Sequence, residues 1–137
     1  MRFSQTRILV IVMALGGLAS SVALAENEKG RPTPEFMRQK LNYSQGILEG
    51  LVLEKYDLIA TNAASLRNMN VTNAFLSMGN PAYRSYITSF QTNVDSLVRA
   101  AENKNLADAT EAYAKVVKNC VQCHQDFRRE QFIRRQK

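Results

Sequence analysis

The sequence contains a single histidine, two cysteines and no tryptophan among its 137 residues. A structural zinc site takes four protein ligands, mainly cysteine and histidine, so these three residues cannot complete one. Two cysteines exclude a disulfide-rich scaffold, and one histidine excludes a metal centre held by two. The length leaves room for one domain. No stretch shows the period-two alternation of a half-buried strand, which excludes an obvious β-sheet protein.

The first 25 residues have the pattern of a cleavable export signal. Arg2 and Arg7 precede an uncharged apolar run over residues 8–18, and residues 23–25 read Ala-Leu-Ala, as at a cleavage site. The apolar run is shorter than the roughly 20 residues that span a bilayer. We therefore predict cleavage after Ala25, a periplasmic or otherwise exported protein, and no stable membrane span in the mature chain. A retained N-terminal anchor is the alternative.

Four segments of the mature chain have the periodicity of amphipathic helices. After a flexible leader over residues 26–33, Thr33, Pro34 and Glu35 supply an N-cap, a proline at the first position and an acid in the first turn. The first helix is expected to end near residues 50–53, the second covers about 54–69, the third about 82–102, and Asn105 caps the fourth. The pattern predicts an all-α, antiparallel up-down-up-down four-helix bundle over residues 34–130, with a basic tail over 131–137.

Each predicted helix has an apolar stripe that is expected to face the core. The stripes are, in chain order, Met37, Leu41, Ser44, Leu48 and Leu51, widened by Phe36 and Ile47; Tyr56, Ile59, Ala63 and Leu66; Tyr83, Tyr86 or Ile87, Phe90, Val94, Leu97 and Ala101; and Leu106, Ala109, Tyr113, Val116, Cys120, Cys123 and Phe127. The longest connection is residues 70–81, which are rich in Asn, Gly and Pro.

The two cysteines and the histidine are close together, because residues 120–124 read Cys-Val-Gln-Cys-His. C-x-x-C-H is the attachment signal of c-type haem. Cys120 and Cys123 share one helix face, so both thiols can add to haem vinyl groups, and His124 then supplies the proximal iron ligand. A thioredoxin-like pair would follow a strand, and a disulfide within one helix would be strained. We therefore predict one covalently attached haem c per chain.

Around this motif, the sequence resembles the cytochrome c′-like class of four-helix-bundle cytochromes. That class carries C-x-x-C-H near the chain end, often followed by an aromatic and a basic residue at the positions of Phe127 and Arg128. Residues 36–41 are similar to the first helix of the class. The resemblance covers about residues 33–130 and implies covalent haem on the last helix. It is also compatible with a homodimer.

A single histidine leaves the sixth iron position to a methionine, to an unusual ligand such as lysine, or vacant. The mature chain has three methionines: Met37, Met69 and Met78. The resemblance favours Met37 as distal ligand, because low-spin members of the class have a methionine near the start of helix 1, followed by a basic residue. The alternative is that Met37 packs against the haem without binding iron. High-spin members present an apolar residue instead, for which Leu41 is the candidate.

The distal ligand decides between two functions. A thioether ligand favours ferrous iron and suits electron transfer, whereas a vacant position would bind NO or CO. The leading prediction is a mono-haem electron carrier, and a five-coordinate gas-binding haem protein is the alternative. We predict no enzymatic activity, because no residue set offers an acid, base or nucleophile beside a substrate pocket.

Several basic residues are candidates for contacts with the haem or with a partner. Arg38 and Arg128 are candidates for the haem propionates or the haem edge, with Lys40 as a third, and each could instead be an ordinary solvated charge. The formal net charge is +6, and falls to +4 when cleavage removes two arginines and no acid. Export and this small charge argue against nucleic-acid binding. The basic tail either steers a redox partner protein with an acidic surface or only keeps the chain soluble.

Overall fold

The structure is a computed structural model that describes residues 33–69 and 81–136. These residues form α1 (Pro34–Val52), α2 (Tyr56–Met69), α3 (Pro81–Glu102) and α4 (Leu106–Arg135). Consecutive helices pack along one another, whereas α1 and α4 meet only over a short stretch. The predicted all-α up-down-up-down bundle is confirmed. The predicted export signal and leader, and Met78 in the connection between α2 and α3, lie outside the described residues.

Two helix starts follow the signals in the sequence. The Thr33 hydroxyl accepts a hydrogen bond from the Phe36 N–H at 3.2 Å, which satisfies one of the unpaired donors at the start of α1. The Asn105 side-chain oxygen accepts from the Asp108 N–H at 3.1 Å and starts α4 in the same way. Both predicted N-caps are confirmed.

Matching tight turns end α1 and α3. Each turn places a non-glycine residue in the left-handed region, Glu54 and Lys104, both with φ of 52°. In each turn, the N–H of the next residue donates to a carbonyl near the end of the helix. The bond from Lys55 to Gly50 after α1 is 2.8 Å long, and the corresponding bond after α3 is 2.9 Å long. These bonds satisfy carbonyls that the helix ends would otherwise leave unpaired. The two turns therefore lie at one end of the bundle, and the start of α1 and the end of α4 lie at the other.

The core confirms the predicted stripes of α2, α3 and α4. Tyr43, Tyr56, Leu106, Tyr113 and Cys120 pack against it while remaining partly exposed. Its fully buried side chains are Ile47, Ile59, Leu66, Val94, Leu97 and Val116.

The predicted stripe of α1 is wrong at Leu48, which is 50% exposed. Ile47 and Leu51, both predicted to face inward, are buried, as is Gly50. Leu41 is 56% exposed but lines a cavity that all four helices surround. Because α1 packs mainly against α2 and little against α4, its buried face lies toward Ile47 and Gly50 and away from Leu48.

The last helix continues well beyond the haem motif. It extends eleven residues past His124 to Arg135, about three turns, so residues 131–135 of the expected basic tail are helical. Across the part of the chain that the structure describes, we find no helix that combines the length and apolar character needed to cross a bilayer.

Candidate cofactor site

A cavity of about 350 Å³ opens in the end of the bundle that carries the C-x-x-C-H motif. Its volume lies within the usual range for cofactor and ligand sites, roughly 300–1,000 Å³. All four helices contribute to its walls. The lining residues are Met37, Lys40, Leu41 and Ser44 from α1, Leu66 from α2, Tyr83, Tyr86, Ile87 and Phe90 from α3, and Val117, Asn119, Cys120, Val121, Cys123, His124 and Phe127 from α4.

Both cysteines face this cavity as free thiols. Their three-residue spacing on the continuous helix α4 brings them to one side, as the sequence indicated. Burial raises the pKa of the Cys120 thiol, and the nearby Lys40 ammonium partly opposes this shift. Burial also raises the pKa of the Cys123 thiol, and the Lys40 ammonium again partly opposes the shift. The thiols are therefore protonated at neutral pH.

The two predicted iron ligands line the same cavity. His124 is exposed at its α4 wall, and Met37 enters from α1 and is partly buried. Leu41, the candidate for distal packing, also lines the cavity from α1. Met69 ends α2 and is not among the lining residues. Of the two described methionines, only Met37 therefore shares a cavity with His124.

Lys40, the third basic candidate for a haem contact, lies inside the cavity. Its side chain enters the cavity, where Nζ lies 4.4 Å from the centre of the Phe90 ring on α3 and 5.7 Å from that of Phe36. Both distances are typical of cation–π contacts. Burial lowers the pKa of Lys40 to about 8, although interactions with Cys120 and Cys123 oppose the shift. Lys40 therefore brings a cation into a largely apolar cavity.

Tyrosines of α3 hold the motif-bearing part of α4 in place. Tyr83 donates to Glu130 at 2.6 Å, and Tyr86 donates to Asp126. Before the motif, the Asn119 side-chain amide donates to the Tyr86 carbonyl at 3.1 Å. These bonds lie on both sides of residues 120–124, so α4 is fixed against α3 where the cysteines face the cavity. The place of the tyrosines in an apolar stripe was predicted from the sequence, but their carboxylate partners were not.

The two arginines predicted to contact the haem propionates or the haem edge do not line the cavity. Arg38 and Arg128 are exposed, and neither is among the residues that line the cavity. Of the three basic candidates, Lys40 alone enters it.

The lining residues fit a covalently attached haem. Two thiols and one imidazole face an apolar cavity, which is the donor set that a c-type haem requires. A bare metal ion fits less well, since no cluster of three or more His, Cys, Asp or Glu side chains with metal-binding geometry occurs within residues 33–69 and 81–136. Tyr83 and Phe127, with ring centres 6.3 Å apart, close the cavity beside Cys123.

Comparison with known proteins supports the same class. Residues 78–128, a segment of 51 of the 137 residues that includes the C-x-x-C-H motif, match the protein-family model described as Cytochrome C'. No curated protein and no solved structure gives a significant match. The family implies covalently bound haem c and a haem protein that is typically non-enzymatic. This match, the motif and the all-α four-helix fold agree with one another: the chain is similar to the Cytochrome C' family over the part that carries the C-x-x-C-H motif.

Proposed function

We propose that this protein is an exported mono-haem cytochrome that transfers single electrons. One haem c is held by thioether bonds to Cys120 and Cys123, with His124 as the proximal and Met37 as the distal iron ligand. The observation that carries the proposal is that these four residues line one cavity from two helices. Haem iron bound there supplies one-electron chemistry by cycling between its ferrous and ferric forms.

The surroundings of Met37 support its role as distal ligand. It lies in the first turns of α1 and lines the cavity that the α4 motif also lines. A thioether is a soft donor that stabilises ferrous iron and raises the reduction potential. Ile87, Phe90 and Phe127 make the lining of the same space largely apolar. These features favour reversible electron transfer.

Export remains part of the proposal on the strength of the sequence. The basic residues, apolar run and Ala-Leu-Ala site within residues 1–25 support cleavage and release outside the cytoplasm. Attachment of c-type haem after export would be consistent with that route.

The visible spectrum of the holoprotein tests the ligand assignment. Wild-type protein is expected to give low-spin ferrous bands and, when ferric, the far-red charge-transfer band of methionine-to-iron ligation. Met37→Ala is expected to abolish that band. Met69→Ala is the matched control, because Met69 ends α2 away from the cavity lining, and Met78→Ala completes the set.

Two results would contradict the assignment. Loss of the charge-transfer band in Met69→Ala or Met78→Ala, with retention in Met37→Ala, would move the ligand to another methionine. A high-spin wild-type spectrum that changes on addition of CO or NO would favour the gas-binding alternative. In that case Leu41, which also lines the cavity, would be the residue on the vacant distal side.

A further inference from the structure

The C-terminal part of α4 carries a row of basic and apolar side chains. Arg128, Phe132 and Arg135 follow one another at intervals of four and three residues, so they lie on one side of the helix. All three are exposed, with Phe132 at 64%. We call these three residues the terminal basic face.

The acids of this helix segment lie on its other side. Asp126 and Glu130 accept hydrogen bonds from the α3 tyrosines, which turns both carboxylates toward the bundle. Glu130 also binds Arg134 at 2.6 Å. Within residues 33–69 and 81–136, Arg128 and Arg135 form no ion pair. The charge of the terminal basic face is therefore not neutralised from within the described fold.

This face is continuous with the mouth of the cofactor cavity. Val121 and His124 line the cavity, are exposed, and precede Arg128 by seven and four residues. These spacings put them on the same side of α4 as the basic row. A protein that covers the terminal basic face would therefore also lie over the wall that carries His124.

We propose that the terminal basic face, together with Val121, is the docking surface for an electron-transfer protein with an acidic surface. The inference rests on the proposed electron-transfer function and names its partner by charge. Acidic side chains of the partner would meet Arg128 and Arg135, which steers association. Phe132 and Val121, 64% and 49% exposed, supply the apolar contact that the same partner buries.

Other occupants fit the surface less well. A second copy of this chain docked face to face would bring Arg128 and Arg135 against the same like charges. A lipid bilayer would gain only Phe132 from the two helical turns of this face, which is a small apolar area for membrane association. An acidic protein satisfies the charges and the apolar residues together, beside the cavity.

The test compares two variants with the same change in charge. Phe132→Asp with Arg135→Glu alters the terminal basic face and leaves Arg128 in place. Leu53→Asp with Lys104→Glu is the control, because both residues are exposed in the turns at the opposite end of the bundle. Reduction of each ferric holoprotein is followed by stopped-flow absorbance. The reductants are fully reduced flavodoxin, a small acidic electron donor, and an uncharged hydroquinone.

We expect the face variant to be reduced by flavodoxin roughly tenfold more slowly than wild type. The control is expected to stay within about twofold, and the hydroquinone rate to be unchanged in both. The wild-type flavodoxin rate should fall as salt is added.

Equal flavodoxin rates for the two variants would overturn the docking surface while leaving electron transfer intact. The docking surface would also be overturned if wild type and the control variant bind anionic phosphatidylglycerol vesicles, the face variant does not, and the flavodoxin rate is the same in all three proteins. Failure of the hydroquinone to reduce wild type would instead overturn the proposed function.

Discussion

Lys40 carries a positive charge into the cavity that the cysteines face. Its ammonium lies over the Phe90 ring, and burial lowers the pKa of this lysine to about 8. The pKa is lower in the folded than in the unfolded chain, so the charged form is disfavoured by folding. Below pH 8 both states bind the proton, and the cost to stability is present in full. Between about pH 8 and 10.5 the unfolded chain binds more of the proton, and the cost decreases as pH rises.

We therefore predict that Lys40→Met stabilises the haem-free protein at pH 7. The expected increase in the free energy of unfolding is about 1–2 kcal/mol, because removing the ammonium also removes its attraction to the Phe90 ring, which offsets part of the gain. The increase should shrink as pH rises from 8 to 10.5. Urea unfolding followed by circular dichroism measures it, with the exposed Lys115→Met as control. A gain that is constant over this pH range would contradict the assigned pKa.

Single-residue chemistry was readable from the sequence only where residues are rare and adjacent. Cys120, Cys123 and His124 could be assigned from the sequence alone, because their spacing specifies one kind of covalent chemistry. Lys40 could be named only as one of three basic candidates, since a lysine in an amphipathic helix is normally solvated. Its entry into the cavity depends on where α3 places Phe90, which no local pattern specifies.

The packing of α1 on α2 depends on a close approach at Gly50. A Cβ atom at this position would lie 2.7 Å from Cγ1 of the fully buried Ile59 and 3.0 Å from its backbone nitrogen. Neither atom can move without shifting α2. At Gly46 a Cβ would instead meet the side-chain amide of Asn62 at 2.7–2.8 Å, which is the mobile end of a partly exposed side chain.

We predict that Gly50→Ala destabilises the protein despite the higher helix propensity of alanine. Propensity favours alanine by up to about 1 kcal/mol, but overpacking against Ile59 costs typically 1–3 kcal/mol or more. The expected net loss is about 1–2 kcal/mol by urea unfolding of the holoprotein. Gly46→Ala is the matched control and should change stability by less than half as much. Equal losses in the two variants would show that helix approach does not limit position 50.

Helix positions were more predictable than helix faces and helix ends. Thr33 with Pro34, and Asn105 with Asp108, fixed two starts through local hydrogen bonds. The face of α1 was misassigned at Leu48, because one apolar stripe cannot show that α1 and α4 meet only over a short stretch. The end of α4 was not predicted either. Its last three turns leave Phe132 and Ile133 exposed and so lack an apolar stripe that faces the core, and a tertiary hydrogen bond from Tyr83 to Glu130 stabilises them.

At the scale of the whole molecule, the bundle is asymmetric in a way that forms the site. Three interfaces between consecutive helices are extensive, while α1 and α4 meet only briefly. Tyr113 and Ser44 join these two helices through hydrogen bonds of 2.9 and 3.0 Å. Toward the motif end, the space between α1 and α4 widens into the cavity. The motif is thus fixed to α3 on one side and faces Met37 and Lys40 on the other.

The central claim is covalent attachment of one haem at Cys120 and Cys123, and the intact mass of the exported protein under denaturing conditions tests it most directly. The account predicts a chain that begins at Glu26 and carries the mass of one haem after unfolding. Replacement of both cysteines by serine should yield the polypeptide mass alone. A wild-type protein with the polypeptide mass alone, or a haem that dissociates on unfolding, would contradict the account.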